Sequence, residues 1–137
     1  MDNSAKPRIE VAVAIIRRGD CFLVAKRPKN KAGAGKWEFP GGKIEPLESP
    51  EECLVREIQE EFGASVLISE SLAVLDYEYP EGGKFRFHCY LCEIPNEEPK
   101  ALEHEEIAWV EAKNLAGIDL LEADKQLIPL IQKKAGL

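Results

Sequence analysis

The sequence lacks any long hydrophobic segment. No run approaches the roughly 20 apolar residues that a helix needs to cross a bilayer, and the first apolar run, residues 11–16, is short and followed by two arginines. Residues 1–8 are polar and do not resemble a secretory signal. We therefore expect a cytoplasmic protein with no membrane partner.

Positive charge is also scarce. The chain has 18 lysines and arginines against 25 aspartates and glutamates, which gives a formal net charge of -7 at pH 7. A protein that holds long nucleic acid by neutralising its backbone needs a basic face, so this composition argues against that class. An acidic protein can still bind a phosphate ligand when divalent cations lie between them.

Cysteine is sparse, and only two of the four cysteines are close in sequence: Cys21, Cys53, Cys89 and Cys92. No second C-x2-C pair completes a zinc site. Residues 85–93 have the composition of a strand, in which positions three apart point to opposite faces. Buried or half-buried thiols are the preferred interpretation, with a zinc site as the alternative.

The chain also lacks internal repeats and low-complexity segments. Its 137 residues are 45% apolar and 31% charged, which suits a packed interior with a solvated surface. A chain of this length buries about two thirds of its unfolded surface around one core. We expect a single domain over residues 1–137.

Strand-like runs predict two hairpins. Residues 8–16 and 21–25 flank a turn at Gly19, and residues 72–79 and 85–93 flank a turn at 80–83. Shorter extended segments are expected at residues 37–40, 65–68 and 107–110, a basic glycine-rich loop at 29–36, and a further loop at Gly41 and Gly42.

Capping signals mark one helix, residues 50–62. Ser49 suits the N-cap, Pro50 the first turn, Glu52 the third helical position of a capping box, and Gly63 the left-handed position after the end. The apolar stripe expected to pack on a sheet is Leu54, Val55, Ile58 and Phe62. A second helix is expected at 124–134, although Pro129 implies that regular helix begins only a few residues before it. Strands followed by helices predict an α+β or α/β layered domain.

The predicted helix carries an acidic arc beside its apolar stripe: Glu57, Glu60 and Glu61. Residues at i, i+3 and i+4 share one helix face, so these carboxylates converge. Hard cations such as Mg²⁺ prefer such oxygens. The arc therefore predicts a cation site, and an ordinary solvated acidic face is the alternative.

The arc belongs to a longer pattern, G-x5-E-x7-R-E-U-x-E-E-x-G with U aliphatic, formed by Gly42, Glu48, Arg56, Glu57, Glu60, Glu61 and Gly63. This pattern resembles the Nudix box of enzymes that hydrolyse nucleoside diphosphates linked to another group. The resemblance implies an α/β/α sandwich with a mixed sheet. It departs from the family at Ala64, where a bulkier aliphatic residue is preferred.

The resemblance also assigns roles to residues of the box. It implies metal ligands at Glu57, Glu60, Glu61 and the Gly41 carbonyl. Arg56 is implied to orient these carboxylates, Glu48 to assist them, and Lys43 to contact phosphate. For Arg56, ordinary helical pairing with Glu52 and Glu60 is the alternative.

The match continues outside the box toward MutT-like enzymes. Residues 36–45 match their segment K-x-E-F-P-G-G-K-I-E, Arg27 lies eleven positions before its glutamate, and Glu103 lies six before Trp109. The resemblance implies that Arg27 and Phe39 hold the nucleotide and that Glu103 binds metal or serves as general base, a role that Glu57 could also have. The alternatives are a surface cation, a core aromatic residue and a charge in a solvated run.

At the base-reading end, Asp124 matches relatives that act on cytidine nucleotides or oxidised purines. An N-cap role for Asp124 is the alternative. Leu121 stands where some of these relatives have a stacking aromatic residue.

The resemblance implies an Mg²⁺-dependent enzyme, with Mn²⁺ as a second option, that hydrolyses a nucleoside triphosphate to the monophosphate and pyrophosphate. Oxidised dNTPs such as 8-oxo-dGTP are the leading substrates. The alternatives are CTP-like nucleotides, ADP-ribose, RNA 5′ ends, or a binding module without catalysis. The expected partner is a small-molecule nucleotide, and the expected assembly is a monomer or homodimer.

Overall fold

The computed structural model describes residues 8–137, and residues 1–7 of the predicted domain lie outside it. The strands are β1 (Ile9–Arg18), β2 (Cys21–Lys26), β3 (Trp37–Glu38), β4 (Gly41–Lys43), β5 (Leu67–Glu78), β6 (Lys84–Glu93) and β7 (Glu106–Glu111). The helices are α1 (Pro50–Phe62), a 3₁₀ helix (Ala112–Gly117), α2 (Glu122–Lys125) and α3 (Ile128–Lys134).

β1 lies at the centre of a mixed sheet. It pairs in parallel with β6 along residues 9–16 and antiparallel with β4 along residues 11–13. At its end, Gly19 adopts φ 60° and returns the chain to β2. β2 continues to β3 and β7, and β6 pairs with β5. Both predicted hairpins are confirmed.

Alternate residues of β1 face two hydrophobic cores. Val13 and Ile15 face the core that α3 closes, whereas Ala12 and Ala14 face the core that α1 closes. This order of helix, mixed sheet and helix confirms the predicted α+β class, an α/β/α sandwich with the helix of residues 50–62 packed on the sheet. Within residues 8–137, no helix is long and apolar enough to cross a membrane.

The cysteines lie in these cores. Cys53, Cys89 and Cys92 are buried and Cys21 is half-buried, as the preferred interpretation predicted. Cys89 faces the α3 core and Cys92 the α1 core. Burial raises the pKa of each of these two thiols to about 12, so both stay protonated at neutral pH and are unreactive.

α1 begins at Pro50 and ends at Phe62, as predicted. The Ser49 hydroxyl accepts a hydrogen bond from the Glu52 backbone N–H at 3.0 Å, and the Glu52 carboxylate accepts one from the Ser49 N–H at 2.9 Å. Gly63 ends the helix with φ 63°. The capping box therefore fixes where the acidic arc starts and stops relative to β4.

The buried face of α1 differs from the prediction at Val55, which is 52% exposed. The helix is turned toward β4, so that Cys53 is buried and its Sγ lies 3.5 Å from the carbonyl oxygens of Gly42 and Lys43. The same rotation buries Glu61. The predicted apolar stripe was therefore wrong at Val55, because the helix buries Glu61 of the acidic arc instead.

Gly41 and Gly42 form a strand rather than the predicted loop. They belong to β4 and lie opposite Val13 and Ala12 of β1. Because β2 pairs with only the last two residues of β1, the earlier edge of β1 is open to another strand. β4 occupies it and places the two glycines against α1.

The predicted break between residues 65–68 and 72–79 is also wrong. A single strand, β5, spans Leu67–Glu78, with register shifts against β6 between Ile68 and Glu70 and between Ser71 and Ala73. Such shifts let polar residues interrupt the apolar alternation without ending the strand.

The predicted helix at 124–134 is divided. α2 ends at Lys125, and α3 begins at Ile128 with Pro129 in its first turn, where the missing N–H of proline leaves no partner unsatisfied. Asp124 lies inside α2, whose N-cap is Leu121, so the N-cap alternative for Asp124 is wrong.

Candidate active site

β4, α1 and the loop after β2 surround an open cavity of about 700 Å³. Most of the predicted site residues line it: Arg27, Phe39, Gly41, Lys43, Glu61, Glu103 and Asp124. These residues come from distant parts of the chain and meet because β4 lies between the β2 loop and α1. The cavity therefore joins the predicted cation site to the predicted nucleotide contacts.

The other predicted residues of the box lie behind this wall, around Arg56. The guanidinium donates from Nε and Nη2 to the two carboxylate oxygens of Glu48, at 2.8 and 2.9 Å. Nη1 donates to Glu57 Oε1 at 2.8 Å, and Nη2 to the Lys43 carbonyl at 3.3 Å. The fork of Arg56 thus fixes two carboxylates and the end of β4 together.

Electrostatics agree with this geometry. The hydrogen bonds that Arg56 donates lower the pKa of Glu48 to about 2, and the same bonds raise the pKa of Arg56. Glu60 contacts the same guanidinium at 3.5 Å, but its side chain is 54% exposed and does not line the cavity. Arg56 therefore makes the i, i+4 contact with Glu60 in addition to its bonds to Glu48 and Glu57.

The Glu57 carboxylate packs directly against Gly42, which lines the cavity. A Cβ built on Gly42 would lie 2.5 Å from the Glu57 Cδ. Only glycine leaves room for this carboxylate against the strand. The sequence pattern requires glycine at this position, and the structure supplies the steric reason.

Glu61 is a buried carboxylate in an acidic neighbourhood. Its Oε2 has no hydrogen-bond partner. Burial is the largest cause that raises the pKa of Glu61 to about 9, followed by repulsion from Glu57 and a hydrogen bond shared with its carboxylate, and then by repulsion from Glu38 and Glu103. An isolated buried carboxylate is costly unless a proton or cation compensates it.

These oxygens fit a divalent cation. Magnesium and manganese are bound by carboxylate and carbonyl oxygens, and Glu61 presents an unpaired oxygen beside the Glu57 carboxylate and the Gly41 backbone. Within residues 8–137, no three His, Cys, Asp or Glu side chains are already gathered closely enough to enclose an ion. A bound cation therefore requires rotation of at least some of these side chains.

Asp124 lies at the opposite end of the cavity. Its Oδ2 accepts a hydrogen bond from the Phe39 backbone N–H at 2.9 Å, and the residue is buried. Burial raises the pKa of Asp124 to about 7 despite that hydrogen bond. The carboxyl group can therefore exist in either protonation state near neutral pH, as an acceptor or as a donor.

The sequence reasoning missed an aromatic wall. Tyr79, Phe85 and Phe87 from the β5–β6 hairpin line the cavity, which Leu121 also lines. Tyr79 meets Phe85 edge to face at 5.1 Å. The alternation of aromatic residues near the hairpin turn was the available signal, but it does not show which face of the sheet carries the cavity.

Glu38 and His104 were also missed as site residues. Glu38 accepts hydrogen bonds from Arg27 Nη1 and His104 Nε2, each at 2.9 Å. Arg27 also donates from Nε to the Ala32 carbonyl at 2.6 Å. Arg27 is therefore a hydrogen-bonded cation of the cavity wall.

Comparison with known proteins extends the match beyond the motif. The family profile of the NUDIX domain matches residues 6–132. The CTP pyrophosphohydrolase of Escherichia coli (strain K12) is 36% identical over 126 residues, which cover 90% of this chain and 89% of that protein. The 8-oxo-dGTP diphosphatase of the same organism is 32% identical over 127 residues, covering 92% and 98%. The crystal structure of the MutT NUDIX hydrolase from Burkholderia pseudomallei superposes with a TM-score of 0.82 and 29% identity, covering 91% of this chain and 98% of that chain.

Proposed function

Because this chain belongs to the Nudix hydrolase family, we propose that it is an Mg²⁺-dependent nucleoside triphosphate pyrophosphohydrolase, with Mn²⁺ as a second usable ion. Nudix hydrolases act on small nucleotide substrates and generally use a divalent metal. The proposed products are the nucleoside monophosphate and pyrophosphate. The leading substrates are oxidised dNTPs such as 8-oxo-dGTP, so the enzyme would clean the cytoplasmic nucleotide pool in support of DNA replication and repair.

The unpaired Oε2 of Glu61 carries this proposal. The folded chain buries the Glu61 carboxyl group beside three carboxylates and supplies no cation of its own to that oxygen, so a proton compensates it in the free protein near neutral pH. A divalent cation that enters can displace this proton and be bound by the carboxylate. An acidic helix face that served only solubility would leave its carboxylates in water.

The chain's own residues position and hold the substrate. A divalent cation, when bound, supplies neutralisation of the polyphosphate charge and activation of water. Arg56 holds Glu48 and Glu57 in fixed orientations. Arg27 and Lys43 line the cavity as positive charges for the phosphates. Glu57 and Glu103 remain the two candidates for the general base.

The far end of the cavity is proposed to bind the base. Asp124 and the Phe39 backbone would face the polar edge of the base. Tyr79 and Phe85 would provide its apolar contact surface, since this chain has Leu121 where some relatives have a stacking aromatic residue. Since the pKa of Asp124 is raised to about 7, its carboxyl group can accept from or donate to a base edge near neutral pH.

CTP-like pyrimidine nucleotides are the second candidate substrates. The 36% identity to a CTP pyrophosphohydrolase favours them. A panel of 8-oxo-dGTP, 2-hydroxy-dATP, dCTP, 5-methyl-dCTP, CTP and ADP-ribose, compared by kcat/KM, would separate the candidates. We expect a damaged dNTP to rank first. A clear preference for CTP would replace the leading substrate, and a clear preference for ADP-ribose would refute both.

The metal requirement is tested by Glu61→Gln, which replaces the ionisable carboxyl group by a neutral amide of similar volume. We expect Mg²⁺ affinity, measured by calorimetry, to fall by more than roughly tenfold, and kcat to fall with it. The matched control is Glu51→Gln on the same helix, whose Oε1 accepts from the Tyr90 hydroxyl away from the cavity. Equal Mg²⁺ affinity in both variants would disprove a cation site at Glu61.

A further inference from the structure

His104 is a buried side chain at the edge of the cavity. Its side chain is only 5% exposed although its sequence neighbours Glu103 and Glu105 are exposed. Its ring stacks on Phe62, the last residue of α1, with centroids 5.4 Å apart and planes 13° apart. The ring is thereby fixed against the helix that carries the candidate metal ligands.

The Nε2 atom of His104 faces Glu38 Oε2 at 2.9 Å. An ionised carboxylate only accepts hydrogen bonds, so Nε2 carries the hydrogen and donates it. The Nδ1 atom is buried and has no hydrogen-bond partner. The contact with Glu38 is thus the polar interaction that sets the orientation of this imidazole.

Glu38 in turn holds the side chain of Arg27. Its second oxygen, Oε1, accepts from Arg27 Nη1 at 2.9 Å, so each carboxylate oxygen has one partner. The two donors, one on each side, hold the Glu38 carboxylate in this orientation.

Arg27 is held from its other side by the loop after β2. Its Nε donates to the Ala32 carbonyl at 2.6 Å, and its backbone N–H and C=O bond to Lys36 and Gly35. Arg27, Ala32 and Glu38 all line the cavity. The cation is consequently clamped between the loop and Glu38, facing the space where a nucleotide would bind.

We propose that His104 is a positioning residue for substrate binding: by donating to Glu38 it fixes the carboxylate that aims Arg27 into the cavity. The inference rests on the proposed function in one respect, since it takes Arg27 as a nucleotide contact. His104 itself acts through Glu38 and does not touch the reacting atoms. Loss of its N–H therefore weakens substrate binding more than turnover.

Two substitutions separate this role from simple packing. His104→Phe keeps a planar ring to stack on Phe62 but has no N–H. His104→Gln loses the ring but places an amide donor near the position of Nε2. A purely structural role predicts that phenylalanine is the better replacement. The positioning role predicts the reverse.

The kinetic test measures KM and kcat for the best nucleotide of the panel. We expect His104→Phe to raise KM by roughly three- to tenfold, the effect of one lost hydrogen bond, with little change in kcat. His104→Gln should recover most of this loss. The chain's other histidine supplies the control: His88 pairs with Glu10 at 2.7 Å, and neither lines the cavity, so His88→Phe should leave KM unchanged.

A double-mutant cycle tests the route through Arg27. In an Arg27→Ala background, His104→Phe should raise KM no further, because the residue that it positions is gone. Additive effects of the two substitutions would overturn the proposal. So would an unchanged KM in a folded His104→Phe variant, or a larger loss in His104→Gln than in His104→Phe.

A readout without substrate keeps this inference separate from the proposed function. In ¹⁵N-correlated NMR spectra of the ligand-free protein, Arg27 Nε–H should give a sharp, slowly exchanging signal because of its bond to Ala32. His104→Phe should broaden that signal or speed its exchange, and His104→Gln should restore it. If wild-type protein hydrolyses no nucleotide, the proposed function fails, and the Arg27 signal still decides this inference. An Arg27 signal that is identical in wild type and His104→Phe overturns it.

Discussion

Leu47 combines two unfavourable features at a single residue. It has φ 69°, which a leucine rarely adopts, and its side chain is fully exposed in the loop that leads to α1. The left-handed conformation costs a non-glycine residue about 1–2 kcal/mol. Leu47→Gly removes this cost, but glycine loses more conformational entropy on folding, which offsets part of the gain. We therefore expect the free energy of unfolding to rise by about 0.5–1 kcal/mol. Urea denaturation measures the change.

The control for this prediction is Leu47→Ala. Alanine removes the exposed apolar surface but keeps the Cβ that makes φ 69° unfavourable. It should therefore give little of the gain. Equal stabilisation by alanine and glycine would show that the exposed side chain, rather than the backbone conformation, is responsible.

Glu61 makes stability depend on pH in a definite direction. Its pKa is raised from 4.5 to about 9 in the folded protein, so between these values the folded chain binds a proton that the unfolded chain releases. By linkage, this group then lowers the free energy of unfolding as pH rises from about 4.5 to about 9. Its contribution is least unfavourable below pH 4.5.

Comparison of Glu61→Gln with wild type isolates this contribution. In EDTA, the stability of the variant relative to wild type should increase steadily from pH 5 to pH 9, while the effects of other titrating groups cancel in the difference. With saturating Mg²⁺, wild type should instead be more stable than the variant, since wild type gains a ligand-bound state that the variant lacks. A difference independent of pH would contradict the assignment.

At the scale of whole elements, local signals were sufficient for α1. Ser49, Pro50, Glu52 and Gly63 act through bonds and dihedral angles within a few residues, so its limits were predicted correctly. The pairing of β4 with β1 was not predicted, because it depends on how far β2 diverges from β1, and no local sequence pattern indicates that. The same holds for β5, whose continuity through register shifts depends on pairing with β6.

In the candidate site, too, local sequence patterns predicted some features and missed those that depend on distant parts of the chain. The sequence pattern located the residues of α1 and β4 because the motif holds them at fixed spacing. It did not predict the contact between Glu38 and His104, which are 66 residues apart. His104 lies among charged residues, and only the sheet geometry shows that this one position of the run turns inward. A histidine among acidic residues was the weak signal that existed.

The close approach of β4 to α1 gives a prediction for Gly42→Ala. The new methyl group would meet the Glu57 carboxylate, with Cδ 2.5 Å away. This carboxylate ends a flexible side chain, so it can move at little cost to stability. The movement would break its alignment by Arg56. We expect roughly a 10- to 100-fold loss of Mg²⁺ affinity, typical of disturbed metal-site support, with the melting temperature almost unchanged.

Two other glycines provide controls for this prediction. A Cβ on Gly117 would meet nothing within 4 Å, so Gly117→Ala should alter neither property. A Cβ on Gly41 would collide with the Ala12 carbonyl, and φ 148° adds strain, so Gly41→Ala should destabilise the fold itself. If Gly42→Ala instead resembles Gly41→Ala, the space under Gly42 serves packing rather than the placement of Glu57.

At the scale of the whole molecule, the net charge of -7 makes cations stabilising in two different ways. Any salt screens the general repulsion among acidic groups. A divalent ion bound at Glu61 adds a contribution set by its affinity, about 2.7 kcal/mol at 100 times the dissociation constant. We expect MgCl₂ at that concentration to raise the melting temperature well above the value in NaCl of equal ionic strength.

The specific part of this stabilisation should depend on a few residues. In Glu61→Gln, MgCl₂ and matched NaCl should have the same effect, because only screening is left. Glu51→Gln makes the net charge less negative by one unit without altering the cavity, and it should keep the full difference between the two salts. If the wild-type protein responds equally to MgCl₂ and NaCl, the acidic surface acts only as a diffuse charge. In that case the buried Glu61 and the carboxylates beside it do not bind a cation, and the proposed chemistry loses its physical basis.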